Sequence, residues 1–231
     1  PTQQVWRLGS IAISGLCAAL ISGCNTEFGV GPTPENPAYP TLDGKSPQSF
    51  AQTSIGSQPA KSLESMAQAM TQDANFIAVD LVMSKDGELV ALASPDITDY
   101  TDVATRSIYA NRKTLRLIDG QTHEGWFAND FTLAELQSLR AKLPGSNTPP
   151  VGANNGRILS LNDVIAYIKR QRKTVGLYLQ TLNPTYHSQQ GVAMEDKLIA
   201  ALTTAGYTQE SAPVLVRSFE VAHLKALRAK S

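Results

Sequence analysis

The chain has 231 residues, of which 42% are hydrophobic, and its 20 Lys and Arg residues balance 20 Asp and Glu residues. This length suits one substantial domain, and the zero net charge shows no basic excess of the kind that nucleic-acid-binding proteins carry. Aromatic residues make up only 6% of the chain, which argues against a stacking platform for single-stranded nucleic acid. We therefore predict no nucleic-acid partner.

The N-terminal residues have the pattern of an export signal. After Arg7, an apolar run extends from Leu8 to Ile21, and its length of about fourteen residues fits a signal-peptide core but is short for a membrane span of roughly 20 residues. The run ends in Ile-Ser-Gly-Cys at residues 21–24, which resembles the bacterial lipobox. The resemblance implies cleavage before Cys24 and a lipid on its sulfur. The alternatives are an apolar helix with an incidental cysteine and an uncleaved single-span anchor.

From this pattern we predict three regions along the chain. Residues 1–23 are interpreted as a lipoprotein signal peptide, and residues 24–46 as a tether, because residues 25–46 contain four prolines, three glycines and few apolar side chains. The remaining residues, 47–231, form the predicted domain. We expect an exported protein that is held at the cell envelope, on its periplasmic face, by lipid on Cys24.

Helical and extended patterns alternate after the tether. Apolar residues in 61–71 recur at helical spacing, and the run 76–83 is rich in strand-forming residues. The turn signal at 85–87 is so short that it can only join 76–83 to an antiparallel strand at 88–93. A polar stretch without periodicity covers 94–127. Further helices are predicted at 132–140, from Ser160 onward, at 195–205 and at 221–230, and further strands at 175–179 and 212–218. The alternation favours a largely parallel α/β sheet.

Nine short segments of the chain together resemble the glycerophosphodiester phosphodiesterase family, particularly its periplasmic branch. They follow the family's order at about its spacing, from residue 50 to the end, and comprise residues 59–63, 78–87, 89–92, 101–104, 130–136, 158–161, 175–180, 205–207 and 214–219. The resemblance implies an α/β fold, a TIM (β/α)₈ barrel of the phosphatidylinositol-phosphodiesterase-like type, with its site at the carboxyl ends of the strands. About five of the eight strand–helix units are expected in this chain, as a C-terminally truncated domain.

The resemblance also implies the chemistry of the site. Phosphodiester cleavage requires a neutralised phosphate, an activated water and a protonated leaving group, and the family uses a divalent cation such as Ca²⁺ or Mg²⁺, held by carboxylates, and two histidines. A hard cation takes oxygen ligands and stabilises charge on the phosphoryl oxygens. A histidine titrates near neutral pH and can both give and take a proton.

The chain departs from this pattern at each catalytic motif. By the resemblance, His-Arg-Gly falls near 51–53 or just after, Pro-Glu-Asn-Thr on 59–62, Glu-x-Asp on 78–80, His-Asp on 93–94 and Glu-Ile-Lys on 180–182. These residues read Ala-Gln-Thr, Pro-Ala-Lys-Ser, Ala-Val-Asp, Ala-Ser and Gln-Thr-Leu. No His or Arg occurs between Arg7 and Arg106. Both catalytic histidines and two of three metal carboxylates are thus replaced, and only Asp80 remains.

We therefore predict a catalytically inactive member of the family, with no catalytic residue and no bound cofactor. Asp80 is the one remaining candidate metal ligand, and Gln180 and His187 are candidate ligand-binding residues. The expected partners are a membrane, through Cys24, and a glycerophosphodiester-like ligand or a protein. One alternative is a working hydrolase with a reorganised site built from Asp80, the acids at 96–102 and His187. Another is a truncated fragment without a function.

Overall fold

The computed structural model of the chain describes residues 46–53, 59–146 and 156–231. Almost all of these belong to one compact unit, Gln48–Ser231. The predicted signal peptide, the lipobox with Cys24 and nearly all of the predicted tether lie outside the described residues. Within the described ranges, no helix combines the length and the apolar character needed to cross a membrane.

The described residues form eight strands and six α-helices. The strands are β1 (Phe50–Gln52), β2 (Phe76–Met83), β3 (Leu89–Ala91), β4 (Thr114–Ile118), β5 (Gln121–Gly125), β6 (Leu159–Ser160), β7 (Gly176–Thr181) and β8 (Val214–Arg217). The helices are α1 (Leu63–Met70), α2 (Leu133–Ser138), α3 (Leu161–Lys169), α4 (Pro184–Gln189), α5 (Glu195–Thr204) and α6 (Val221–Lys230).

The main sheet is an open arc of a (β/α) barrel. Strands β1, β2, β7 and β8 run parallel, with β2 between β1 and β7, and β8 beside β7. Strand β3 folds back antiparallel on β2 through the predicted short turn, and β6 pairs with β3. Among the described residues the sheet does not close. The predicted α/β fold with an incomplete barrel is therefore confirmed.

The two faces of β2 bury different surroundings, as strand alternation requires. Ile77, Val79, Leu81 and Met83 belong to an apolar cluster that includes residues of α1, α3 and α5. On the other face, Ala78 and Asp80 point into the concave side of the sheet, and Val82 joins a second cluster. The first cluster is the layer between sheet and helices. The concave face carries both polar and apolar side chains.

The stretch 94–127 contains more structure than its sequence indicated. Scattered apolar residues within and after this stretch build the second cluster with Val82 and Val90, including Ile97, Phe131 and Leu136. Strands β4 and β5 form a separate hairpin, whose two turn residues, Asp119 and Gly120, have φ of 50° and 76°. Positive φ at both positions defines a type I′ turn, for which Asp-Gly is a strong sequence signal. We did not predict this hairpin.

Helix starts agree with their sequence signals. Thr132 and Ser160 each accept a hydrogen bond from the backbone of the third helical residue, and Glu135 and Asp163 reach back to complete capping boxes. Helix α2 ends at Ser138, two residues before the predicted end. Helix α6 has the predicted bounds, Val221–Lys230. Local capping chemistry therefore positions α2 and α3 as expected.

Candidate functional site

Three polar side chains form a row across the concave face of the sheet. Asp80 on β2 is the register partner of Gln180 on β7, and Gln180 is in turn the partner of Arg217 on β8. All three lie toward the carboxyl ends of their parallel strands, the edge where (β/α) barrels carry their sites. Two of the sequence-predicted site residues, Asp80 and Gln180, are thus neighbours. We call these three side chains, together with Lys61, which contacts Asp80 and is described below, the polar row.

Aromatic rings form a floor beneath the polar row. The ring of Phe50 stacks on Phe76, with centroids 5.3 Å apart, and contacts Tyr178 at 4.6 Å. Tyr178 and Leu215 are partners in the β7–β8 register, two pairs before Gln180 and Arg217 and therefore on the same face of the sheet. The floor is apolar but partly open to water, because Phe50 is 39% exposed and Leu215 is 43% exposed.

A lysine that we did not select from the sequence completes the row. Lys61 is 1% exposed, although lysines are seldom fully buried without a partner. Its backbone adopts φ of 63°, a left-handed conformation that costs a non-glycine residue about 1–2 kcal/mol. The N–H of Lys61 donates to Thr53 O at 2.9 Å, and Thr53 Oγ1 donates to Ala78 O at 2.8 Å. These bonds fix the strained residue beside β2.

The ammonium group of Lys61 forms an ion pair with Asp80. Nζ lies 3.0 Å from Asp80 Oδ2, and the side chains are 1% and 19% exposed. The contact is an ion pair rather than a well-aligned hydrogen bond. Burial lowers the pKa of the Lys61 ammonium, and the charge of Asp80 opposes that shift. The carboxylate of Asp80 is therefore what compensates a charge that burial disfavours.

Arg217 supplies a second cation to the row. Its guanidinium carbon lies 4.7 Å from the centroid of the Tyr178 ring, which is within the range of a cation–π contact. Its Nη2 lies 3.8 Å from Asp80 Oδ1, which is too long for a hydrogen bond. Among the described residues, neither Arg217 Nε nor Asp80 Oδ1 has a hydrogen-bond partner. Two cations thus flank one carboxylate.

The polar row does not fit a divalent cation. A hard cation requires several oxygen ligands, yet the neighbours of Asp80 are an ammonium, a guanidinium and the amide of Gln180. Like charges repel by about 4 kcal/mol per pair of unit charges at 4 Å and an effective dielectric constant of about 20. No cluster of three acids, histidines or cysteines with metal-site geometry occurs within residues 46–53, 59–146 and 156–231.

His187 lies away from the row and is fully buried in α4. Its Nε2 accepts the N–H of Met83 at 3.4 Å. Strand β7 ends opposite Leu81, so the N–H of Met83 has no partner in the β2–β7 ladder. Accepting this bond requires a neutral ring, and burial lowers the pKa of His187 to about 4. The histidine supports the end of β2, and no contact joins it to Asp80.

Two of the acids at 96–102, Asp96 and Asp102, are engaged in a turn and in an ion pair. Asp96 Oδ1 accepts hydrogen bonds from the backbone N–H and hydroxyl of Thr98. Asp102 accepts from Arg106, at 2.6 Å, and from the backbone N–H of Arg140, at 2.8 Å. The contacts of Asp96 are those of a turn-forming acid, whereas Asp102 also joins its turn to the distant residue Arg140. Both acids therefore have structural partners.

The fold and the polar row define an α/β protein with an open (β/α) barrel sheet and a polar site at the carboxyl ends of its strands. The sequence profile of the glycerophosphoryl diester phosphodiesterase family matches residues 53–231, and the chain belongs to this family.

Two curated relatives illustrate the similarity. The chain is 27% identical to a glycerophosphodiester phosphodiesterase of Haemophilus influenzae, over 96% of this chain and 61% of the relative. It is 29% identical to glycerophosphodiester phosphodiesterase GDPD6 of Arabidopsis thaliana, over 74% of this chain and 49% of the relative. The chain thus spans between about half and three-fifths of the length of these relatives.

Two solved structures share the fold of this chain. A phosphodiesterase of Oleispira antarctica, solved with the product sn-glycerol-3-phosphate, superimposes with a TM-score of 0.54 and 20% identity, over 79% of this chain and 62% of that one. The glycerophosphoryl diester phosphodiesterase domain of a Mycobacterium tuberculosis protein has a TM-score of 0.55 and 17% identity, over 80% and 57% of the two chains. At these identities the likeness establishes the fold.

Proposed function

We propose that this chain is a non-catalytic member of the family that binds a ligand or a protein partner at the carboxyl ends of its strands. The ion pair of Lys61 with Asp80 is the observation that supports this most strongly. This ion pair engages the carboxylate of Asp80, to which the family resemblance assigns the role of a metal ligand. A phosphodiesterase that depends on a divalent cation needs that carboxylate for the cation.

The residues around Asp80 support the same proposal. Ala78 lies one interior position away on the same strand, and Gln180 lies beside Asp80 across the ladder. By the resemblance these positions carry the other two carboxylates. Of the positions assigned to the two histidines, the first lies near 51–53 or just after, where no histidine occurs, and the second holds Ala93. Losing one acid–base group typically costs about 10²–10⁴-fold in rate, and this chain lacks both along with two metal ligands.

The test is an assay of glycerophosphodiester hydrolysis with Ca²⁺ or Mg²⁺ added in excess. The proposal expects no release of glycerol phosphate above the level given by the Asp80→Asn variant, which is the matched control. Turnover that disappears in Asp80→Asn would overturn the proposal and support the alternative of a working hydrolase. Absence of both turnover and any ligand would instead favour a fragment without function.

We further propose that the chain is an exported lipoprotein of the periplasmic branch. The apolar run at 8–21 and the lipobox-like residues 21–24 carry this proposal. The chain offers its own control, because Cys17 lies in the same run and is the only other cysteine. Labelling with a radioactive fatty acid in a bacterial host should mark the protein and the Cys17→Ser variant but not Cys24→Ser. Equal labelling of both variants would contradict the assignment.

A further inference from the structure

The polar row carries more positive than negative charge. Lys61 and Arg217 contribute two cations, Asp80 contributes one anion, and Gln180 is neutral. The floor below the row is aromatic and supplies no negative charge to balance this excess. A concave face with a fixed excess of positive charge attracts anions.

The geometry shows which cation holds the excess charge. Asp80 lies closer to Lys61, at 3.0 Å, than to Arg217, at 3.8 Å. Lys61 therefore compensates most of the negative charge of Asp80. The guanidinium of Arg217 makes no hydrogen bond to the carboxylate, and the side chain of Arg217 is 35% exposed, against 1% for that of Lys61. Arg217 is consequently the group that a ligand can reach.

We propose that the polar row binds a phosphate-class oxyanion on Arg217 without a divalent cation. Lys61 compensates the negative charge of Asp80, so the positive charge of Arg217 is left in excess. The proposal rests on the proposed non-catalytic function and adds the class of ligand. A guanidinium presents a planar fork of donors that matches the oxygens of phosphate. Lys61 is a positioning residue here, since its ammonium is buried and acts through Asp80.

The mechanism predicts a compensation that simple packing would not produce. In Lys61→Asn, Asp80 loses its partner and turns to Arg217, so anion binding should weaken at least about tenfold. In the double variant Lys61→Asn/Asp80→Asn, the competing carboxylate is absent and binding should return. Arg217→Ala should lose binding in either background. Lys225→Asn, a change at an exposed lysine of α6, is the matched control and should bind as the parent does.

The experiment is calorimetric titration of the full chain with inorganic phosphate and with dimethyl phosphate, in EDTA and again in Mg²⁺. We expect the same affinity in both buffers and the pattern of loss and rescue given above, after circular dichroism has shown that each variant is folded. Comparison of the two probes separates a preference for free phosphate from one for a diester. Binding that requires Mg²⁺, no binding of either probe by the parent, or no rescue in a folded double variant would overturn the proposal. Detection of hydrolysis would refute the proposed function and leave anion binding to be decided by the titration.

Discussion

Gln180 lies directly beside Asp80 in the parallel register of β7 and β2, so the register partner of the carboxylate-bearing residue on β7 carries a neutral amide. Gln180 is 6% exposed and therefore faces its neighbours rather than water. A carboxylate at this position would bring two acids together, as hard cations require. With the amide in place, the charge of Asp80 is compensated by Lys61 instead.

The buried histidine should make stability depend on pH. Burial lowers the pKa of His187 to about 4 in the folded chain, from an ordinary value of 6.5. Its stabilising contribution is complete above about pH 6.5 and is lost as the pH falls toward 4, by about 3 kcal/mol at most. His187→Gln, which retains an acceptor without a charge, should remove this loss. The measurement is urea unfolding of both proteins at pH 7.5 and pH 4.5.

Two further variants define what the histidine does. His187→Leu leaves the N–H of Met83 without an acceptor in a buried place and should cost about 1–3 kcal/mol at pH 7.5. His123→Gln changes an exposed histidine on β5 and should unfold as the parent does at both pH values. If His187→Gln lost as much stability as the parent between the two pH values, burial of His187 would not be the cause.

Gly176 provides the close approach between β7 and the aromatic floor. A Cβ at this position would lie 2.4 Å from ring atoms of Phe76 and 2.8 Å from the carbonyl oxygen of Pro213. Gly176→Ala should therefore destabilise the fold by about 1–3 kcal/mol, measured by chemical unfolding. The double variant with Phe76→Leu relieves only the ring contact. Its effect should be less than the sum of the two single changes, and strict additivity would contradict this packing.

The capping box at the start of α3 should be measurable by itself. Ser160 Oγ accepts the N–H of Asp163 at 3.1 Å, and Asp163 returns a bond to the backbone N–H of Ser160 at 2.9 Å. Ser160→Ala should cost about 1 kcal/mol of unfolding free energy. Ser188→Ala, at an exposed position in α4, serves as the control and should have little effect. Equal costs for the two changes would show that the cap is not responsible.

The local parts of the fold were predictable because their signals are local. The capping residues Thr132 and Ser160 and the apolar spacing of α1 each lie within one or two helical turns. The β4–β5 hairpin had a signal too, in Asp119-Gly120, but the surrounding stretch has no continuous apolar pattern. Its neighbours are instead stabilised by contacts between distant residues, such as the indole N–H of Trp126 with Tyr109 O at 2.7 Å.

The candidate site was predictable only in part. The resemblance placed Asp80 and Gln180 at equivalent points of their strands, and the register pairs them. Lys61 gave no signal, because its role depends on a left-handed backbone and on a contact with a strand 19 positions further along the chain. The surroundings of His187 likewise depend on where β7 ends relative to β2. Such relationships arise from tertiary packing, which no sequence spacing encodes.

The most direct measurement is a calorimetric titration with Ca²⁺ of the parent chain and of the variant Lys61→Asn/Ala78→Glu/Gln180→Glu. The variant removes the ammonium and places two carboxylates next to Asp80, on the same strand and on its neighbour. If the ammonium of Lys61 stands where a metal cation would otherwise bind Asp80, the folded variant binds Ca²⁺ and the parent does not. Binding of Ca²⁺ by the parent as tightly as by the variant would show that Asp80 still holds a metal, and the account would be wrong.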